Sequence, residues 1–385
     1  MNKNHVCVIT GSRADYNYLK PIIERIAKSS KLNLSLLATG MHLLKEHGNT
    51  IGLIEEDSIP ITKIIPMYKE KDRSITSLGR SVGKAIIKFT EAYDEIKPDI
   101  ILVLGDRYEI LVAAISATTL KIPIAHIHGG DVSGTVDENI RHAVTKLSHL
   151  HFPATSKSAE RIRLMGEEQW RIKMVGSTTI DTIINENLLT KEEVCNRLEL
   201  DAEEKIILCL QHPNVYESNK AGDQIRITLN VLKDLNFQTI LIYPNNDLGS
   251  DLIIKEIKSV STNPKFKIFK NLERNMYLSL LKNVDLLIGN SSGGLIESPI
   301  FKLPVVNIGT RNQGRESAEN VIHVSFNYHE IKKAIQKGIS KEFKHFCQNV
   351  INPYGDGTAS EKIIEVLENL ELNEKLLEKK LTYNV

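Results

Sequence analysis

Cysteine is scarce and dispersed in this chain: four in 385 residues (Cys7, Cys195, Cys209 and Cys347), with no Cys-x-x-Cys pair. That spacing argues against a disulfide framework and reads as buried free thiols in a reducing compartment. Charge of one sign is lacking as well. Lys and Arg number 49 against 48 Asp and Glu, a formal net charge of +1. No field is therefore available to hold nucleic acid or an anionic membrane. No apolar run approaches the roughly 20 residues of a membrane span. Met1–Gly11 reads as one short strand rather than a signal peptide, which needs a longer apolar stretch. No cluster has metal-ligand spacing. No internal repeat or low-complexity segment stands out. The expectation is a soluble cytoplasmic protein.

What is present is a strand–helix alternation along the whole chain. The apolar share is 41% and the charged share 25%, both ordinary for a globular enzyme. A chain of 385 residues exceeds what one hydrophobic core usually serves, so two domains are expected. Candidate strands are His5–Thr10, Leu34–Thr39, Ile100–Leu104, Ile122–Ile127, Ile206–Leu210, Thr239–Tyr243, Lys265–Phe269, Leu286–Ile288 and Val305–Ile308. Helical spacing follows most of them, as at Leu78, Val82, Ala85, Ile86, Phe89 and Tyr93 within Ser77–Ile96. Alternation of this kind predicts an α/β protein with parallel sheets covered on both faces. After a polar, helical middle around Leu188–Asp201, the pattern restarts at Ile206. The boundary is placed near Gly176–Asp181, giving domains 1–176 and 177–359. A terminal amphipathic helix, Ser360–Lys380, crosses back onto the first domain. The two sheets are expected to face a cleft.

Ligands of such sheets sit beyond the carboxyl ends of the strands, and the unusual residues fall there. The densest stretch is Ala125-His126-Ile127-His128-Gly129-Gly130-Asp131, running on to Thr135-Val136-Asp137-Glu138-Asn139-Ile140-Arg141-His142. Acids, histidines and an arginine around a Gly-Gly turn mark a site that moves protons. Thr135 and Glu138 have capping-box spacing, and Asp137 and Arg141 stand four apart on the helix that follows. Gly105-Asp106-Arg107 ends the preceding strand. Asp106 and Asp131, on neighbouring loops, can divide acid and base roles, with Arg107 and Arg141 holding one ionised. Asp106 also has the position of a cap for the helix from Tyr108. The other reading of the acid-rich helix is a surface laced with ordinary ion pairs.

Three further strand ends carry anion chemistry. Gly11-Ser12-Arg13 is a strand-to-helix turn with a forked cation. Gly289-Asn290-Ser291-Ser292-Gly293-Gly294 offers backbone N–H groups and two hydroxyls as a diphosphate cradle without a P-loop lysine, with Glu297 placed for ribose hydroxyls. Gly309-Thr310-Arg311 brings another cation. Gln211-His212-Pro213 places a histidine that either balances a leaving phosphate or is a satisfied structural residue. Tyr243-Pro244-Asn245-Asn246-Asp247 is a turn whose amides suit a base.

Taken together these segments resemble the hydrolysing UDP-N-acetylglucosamine 2-epimerases of the sialic acid pathway, along nearly the whole chain. The resemblance implies a GT-B fold, two Rossmann-like domains with UDP held mainly by the second, and a homodimer or homotetramer. It implies no nicotinamide or other cofactor and no metal. Arg13, Asn17, His42 and Arg107 would line the site from the first domain. His212, Asn245, Leu272, Ser291, Ser292, Glu297 and Arg311 would contact UDP. Asp106, Asp131 and Asp137 match the family's catalytic acids, with Arg141 and His212 beside them. One position departs: the family more often has glutamate where Asp131 stands, and aspartate reaches one methylene less. The implied reaction converts UDP-N-acetylglucosamine and water to N-acetylmannosamine and UDP through a glycal. A sugar modified at carbon 4 is the alternative substrate. A non-hydrolysing epimerase, a glycosyltransferase and a non-catalytic nucleotide-sugar sensor are the rival functions. Free sugar rather than nucleotide sugar as product, the acid-rich helix after Gly130 and the presence of all three acids separate the first reading from these.

Overall fold

The computed structural model describes residues 3–44, 50–68, 75–132, 136–245 and 247–383. The chain divides into two compact units, Met1–Ile184 with Tyr354–Val385, and Asn185–Pro353.

The first unit is built on β1 (Asn4–Thr10), β2 (Leu32–Thr39), β3 (Lys63–Ile65), β4 (Ile100–Leu104), β5 (Ile124–Ile127) and β6 (Leu150–Phe152). They pair parallel in the order β3-β2-β1-β4-β5-β6. Successive side chains go to opposite faces. Val6, Val8, Leu102 and Ile127 pack under helices Arg13–Lys28 and Ala359–Glu368. Cys7, Ile9, Ile101 and Val103 pack under helices Ile75–Ile96, Tyr108–Thr119 and Val136–Leu147. Each such side chain contributes about 1.5–3 kcal/mol by leaving water, which is why both faces read as unbroken apolar runs.

The second unit repeats the plan with β7 (Ile206–Leu210), β8 (Gln238–Ile242), β9 (Phe266–Phe269), β10 (Leu286–Gly289), β11 (Val305–Ile308) and β12 (Val321–Val324). The parallel order β12-β11-β10-β7-β8-β9, read from β9, is the same succession as in the first unit. Both follow the doubly wound order 3-2-1-4-5-6, whose connections reverse direction between the first and fourth strands. All four buried cysteines are free thiols. Among the described residues no helix is long and apolar enough to cross a membrane.

All nine expected strands form, with ends shifted by at most two residues. The three not anticipated, β3, β6 and β12, are outermost strands. They are only three or four residues long and carry Lys63, His151 or His323, so no apolar run announces them. The tail differs from a single helix Ser360–Lys380. The first helix stops at Glu368, and a short turn, Glu374–Leu377, follows under its own cap, the Asn373 side chain accepting from Leu376 N at 3.1 Å. Beyond it Arg171, fully buried, donates to the carbonyls of Leu376, Lys375 and Glu378 at 2.8, 2.9 and 2.7 Å. Helix Thr178–Ile184 lies in the first unit because Asp181 caps the terminal helix there, accepting from Ala359 N and Ser360 N at 3.1 and 2.7 Å.

Candidate active site

At the point where the strand order reverses in the first unit, the loops after β1 and β4 lie side by side. The loop after β1 is a cap. Ser12 accepts from Asp15 N, and the Asp15 carboxylate accepts from Gly11 N at 3.0 Å and Ser12 Oγ at 2.5 Å. That leaves Arg13 exposed at the helix start, with Asn17 half-buried one turn on. After β4, the residue at the cap position is Arg107 and no side chain caps the helix. Asp106 is therefore not a cap, and its carboxylate is engaged elsewhere.

Its partner is Arg141, from the middle of helix Val136–Leu147. The same guanidinium donates to the Asp131 carbonyl at 2.5 Å. One buried cation thus ties the loop after β4 to the loop after β5. The Asp131 carboxylate accepts from Ser158 Oγ at 2.7 Å and stands 3.6 Å from His128 Nδ1. Burial raises the Asp106 pKa, Arg141 opposes it, and Asp137 and Asp131 push it further up. Asp106 thus lies within electrostatic reach of both other acids. Asp137 is on the exposed side of its helix. The Thr135 half of the expected capping box lies outside the described residues.

Gly130 requires its left-handed φ of +76°: a Cβ there would sit 2.2 Å from the Ser158 carbonyl oxygen. The turn is thereby pressed onto helix Ser156–Leu164, which supplies the Ser158 contact. His126 faces the interior, with Nε2 2.7 Å from the Gly105 carbonyl, and burial lowers its pKa to about 3. Arg107 is half exposed, 3.7 Å from the buried Glu109 carboxylate. His42 is fully buried, with its ring nitrogens 2.9 Å from Thr10 Oγ1 and 2.8 Å from Thr50 Oγ1. Both sides of its ring are satisfied by protein, which gives it the place of a structural histidine.

The second unit shows the corresponding junction between the loops after β7 and β10. His212 Nδ1 accepts from Asn245 N at 3.0 Å. The proton is thus on Nε2, and burial and Arg311 lower the His212 pKa to about 4. It is a neutral donor at pH 7, not a cation. Gly289, at φ +132°, lets β10 pass the Leu210 carbonyl, which a Cβ would meet at 2.0 Å. The expected helix after it is a single turn, Gly293–Ile296, with Ser291 and Ser292 half-buried before it. Glu297 ends that turn. Burial raises its pKa, with the Arg274 guanidinium 3.9 Å away opposing. Arg311 Nη1 donates to the Asn290 carbonyl at 3.2 Å. The Asn245 side chain donates to Asp247 at 2.5 Å, and Leu272 is half-buried in the loop after β9. Asn246 lies outside the described residues.

Sequence reasoning did not single out Ser158, Glu109, Asn290 or Asn312. Ser158 sits on helix Ser156–Leu164 while the acid it contacts lies in the loop after β5, and nothing in its neighbourhood signals that contact. Asn290 stands within a recognised motif, where the hydroxyls beside it carry the obvious chemistry.

Two Rossmann-type units, one with clustered acids and one with hydroxyls and a cation at the strand-order reversal, place the protein in the GT-B class of α/β enzymes. The chain belongs to the UDP-N-acetylglucosamine 2-epimerase family, whose model matches residues 24–368. It is 37% identical over 97% of its length and 98% of the relative to a UDP-N,N'-diacetylbacillosamine 2-epimerase (hydrolyzing) of Legionella pneumophila. It is 35% identical, over 97% of both chains, to a GDP/UDP-N,N'-diacetylbacillosamine 2-epimerase (hydrolyzing) of Campylobacter jejuni. It is 32% identical over 95% of both chains to a UDP-N-acetylglucosamine 2-epimerase of Neisseria meningitidis. A crystal structure of UDP-GlcNAc 2-epimerase from Neisseria meningitidis bound to UDP-GlcNAc has the same fold, with TM-score 0.79, 20% identity, and 94% and 99% of the two chains covered.

Proposed function

We propose that this protein hydrolyses a UDP-linked 2-acetamido sugar with inversion at carbon 2, releasing UDP and the free 2-epimer. The observation that carries the reading is the Arg141 bridge, which gathers Asp106 and the Asp131 loop around one buried cation. A carboxylate takes the carbon-2 proton as the carbon-1 to oxygen bond breaks and its electrons leave with UDP. The product is the glycal, with its double bond between carbons 1 and 2. Water then adds its hydroxyl at carbon 1, and a proton returns to carbon 2 from the opposite face. No net oxidation occurs.

The carbon-2 proton is weakly acidic, so the departing diphosphate must be stabilised. Arg13, Arg311, the His212 Nε2–H and the Ser291–Ser292 loop are assigned to that charge. Asp106 and Asp131 are assigned to the proton transfers, with Asp137 and Arg141 tuning them. In this division the second unit holds the nucleotide and the first supplies the acids. Asn17, Arg107, Asn245, Leu272 and Glu297 are assigned to substrate contacts. The protein would act in the cytoplasm as a homodimer or homotetramer.

The doubly N-acetylated UDP-sugar in the names of the Legionella and Campylobacter relatives supports a substrate modified at carbon 4. The shorter acid at Asp131 is in keeping with a sugar other than the family's usual one. UDP-N-acetylglucosamine is the second reading, supported by the Neisseria relative. Parallel incubations with UDP-N,N'-diacetylbacillosamine and UDP-N-acetylglucosamine decide. UDP with a free sugar is expected, faster from the first substrate. An epimerised sugar still attached to UDP would refute hydrolysis.

A further inference from the structure

One buried side chain joins the loops that this reading assigns to the diphosphate. Asn290 is 2% exposed and directly follows β10. Its carboxamide pairs with both backbone groups of His212: Oδ1 accepts from His212 N at 2.6 Å, and Nδ2 donates to His212 O at 2.9 Å. Two bonds to the N–H and C=O of one residue fix its backbone and hence the direction of its imidazole. The imidazole is held at its far side by Asn245 N, which leaves Nε2–H as the donor without a partner among the described residues. The Asn290 carbonyl in turn accepts from Arg311 Nη1 at 3.2 Å and Asn312 Nδ2 at 3.0 Å. Asn312 Nδ2 also lies 2.9 Å from Asn307 Oδ1 on β11.

We infer that Asn290 is a positioning residue that sets His212 and Arg311 together as one preorganised diphosphate clamp. The inference rests on the proposed nucleotide site. A carboxamide is the side chain the arrangement requires, because one end must accept and the other donate. Aspartate could accept from His212 N, but its second oxygen would face the His212 carbonyl, acceptor against acceptor. Asn290 is buried, so solvent gives the mismatch little relief. The carboxamide acts on His212, whereas the backbone carbonyl that holds Arg311 survives substitution. The two halves of the clamp are thereby separable by mutation.

UDP titration by calorimetry on the full chain tests this in wild type, Asn290→Ala, His212→Ala and the double variant. Wild type is expected to bind UDP; if it does not, the nucleotide reading fails before the present one is reached. Asn290→Ala should lose about tenfold or more in UDP affinity. Because it acts through His212, the double variant should bind UDP no more weakly than His212→Ala alone. Arg311→Ala combined with Asn290→Ala should show nearly additive losses, since the carbonyl remains. Asn290→Ser, which keeps a polar side chain but cannot bridge both backbone groups, should follow Asn290→Ala and serves if the alanine variant does not fold. Asn290→Asp should be at least as impaired as Asn290→Ser. Wild-type affinity in both Asn290→Ala and Asn290→Ser overturns the inference. So does a double variant whose loss equals the sum of the two single losses.

Discussion

Asp131 is held on both sides: its carbonyl accepts from Arg141, and its carboxylate accepts from Ser158 and faces His128. Under the proposed function this carboxylate transfers a proton, and removing its basicity while keeping its shape isolates that role. Asp131→Asn is expected to lower turnover at least about a hundredfold, the low end for losing an acid–base group, with UDP affinity nearly unchanged. Steady-state rates with calorimetry check it, and near-normal turnover would make the loop structural. Asp106 and Asp131 were legible because both follow apolar strands and adjoin glycine. Ser158 was not legible, being 27 positions from Asp131 with no motif around it. His42 shows the opposite limit. The family resemblance placed it among the site residues, whereas its environment, a threonine hydroxyl at each ring nitrogen, is visible only in three dimensions.

Helix Val136–Leu147 carries Asp137 in its first turn and Arg141 at its middle, and its far end is fastened by the tail. Lys379 Nζ donates to the carbonyls of Lys146 and Ser148 at 2.7 and 2.6 Å. It also lies 2.9 Å from the buried Glu167 carboxylate, which Lys146 and His151 contact at 2.5 and 3.1 Å. A cation at a helix C-terminus satisfies carbonyls that have no partner within the helix. Lys379→Met should therefore cost about 1–3 kcal/mol, the scale for losing charged hydrogen bonds from buried groups, read as a lower urea midpoint. These contacts also move the Glu167 pKa from 4.5 down to about 2. A depressed carboxylate pKa contributes stability that is present above 4.5 and lost as pH falls toward 2. Between pH 5.5 and 3.5, wild type should therefore lose stability more steeply than Glu167→Gln. Parallel urea curves across that range would show that the network contributes no such term. The sequence marked the tail's apolar positions, and Ile363 and Leu367 are indeed buried. It did not reveal the break after Glu368, because the stripe of Leu370, Leu376 and Leu377 continues through it.

At the scale of the molecule, two sheets of identical strand order arise from a chain with no detectable internal repeat. The repetition lies in the alternation of strand and helix, which many sequences satisfy. The central strands were legible because both of their faces are buried. The outer strands β3, β6 and β12 were not, whereas the outer β9 was. The division of labour makes its own prediction. Ser291→Ala should weaken UDP binding by about 1–3 kcal/mol, whereas Asp106→Asn should abolish product with UDP affinity close to wild type. The assignment fails if Asp106→Asn loses UDP binding and Ser291→Ala keeps it. The central claim, that the acids remove and replace a proton at carbon 2, is tested most directly by running the reaction in deuterated water and examining the free sugar. Deuterium at carbon 2 of the released 2-epimer is the expected result, and released 2-epimer carrying only protium at that carbon would contradict the elimination mechanism.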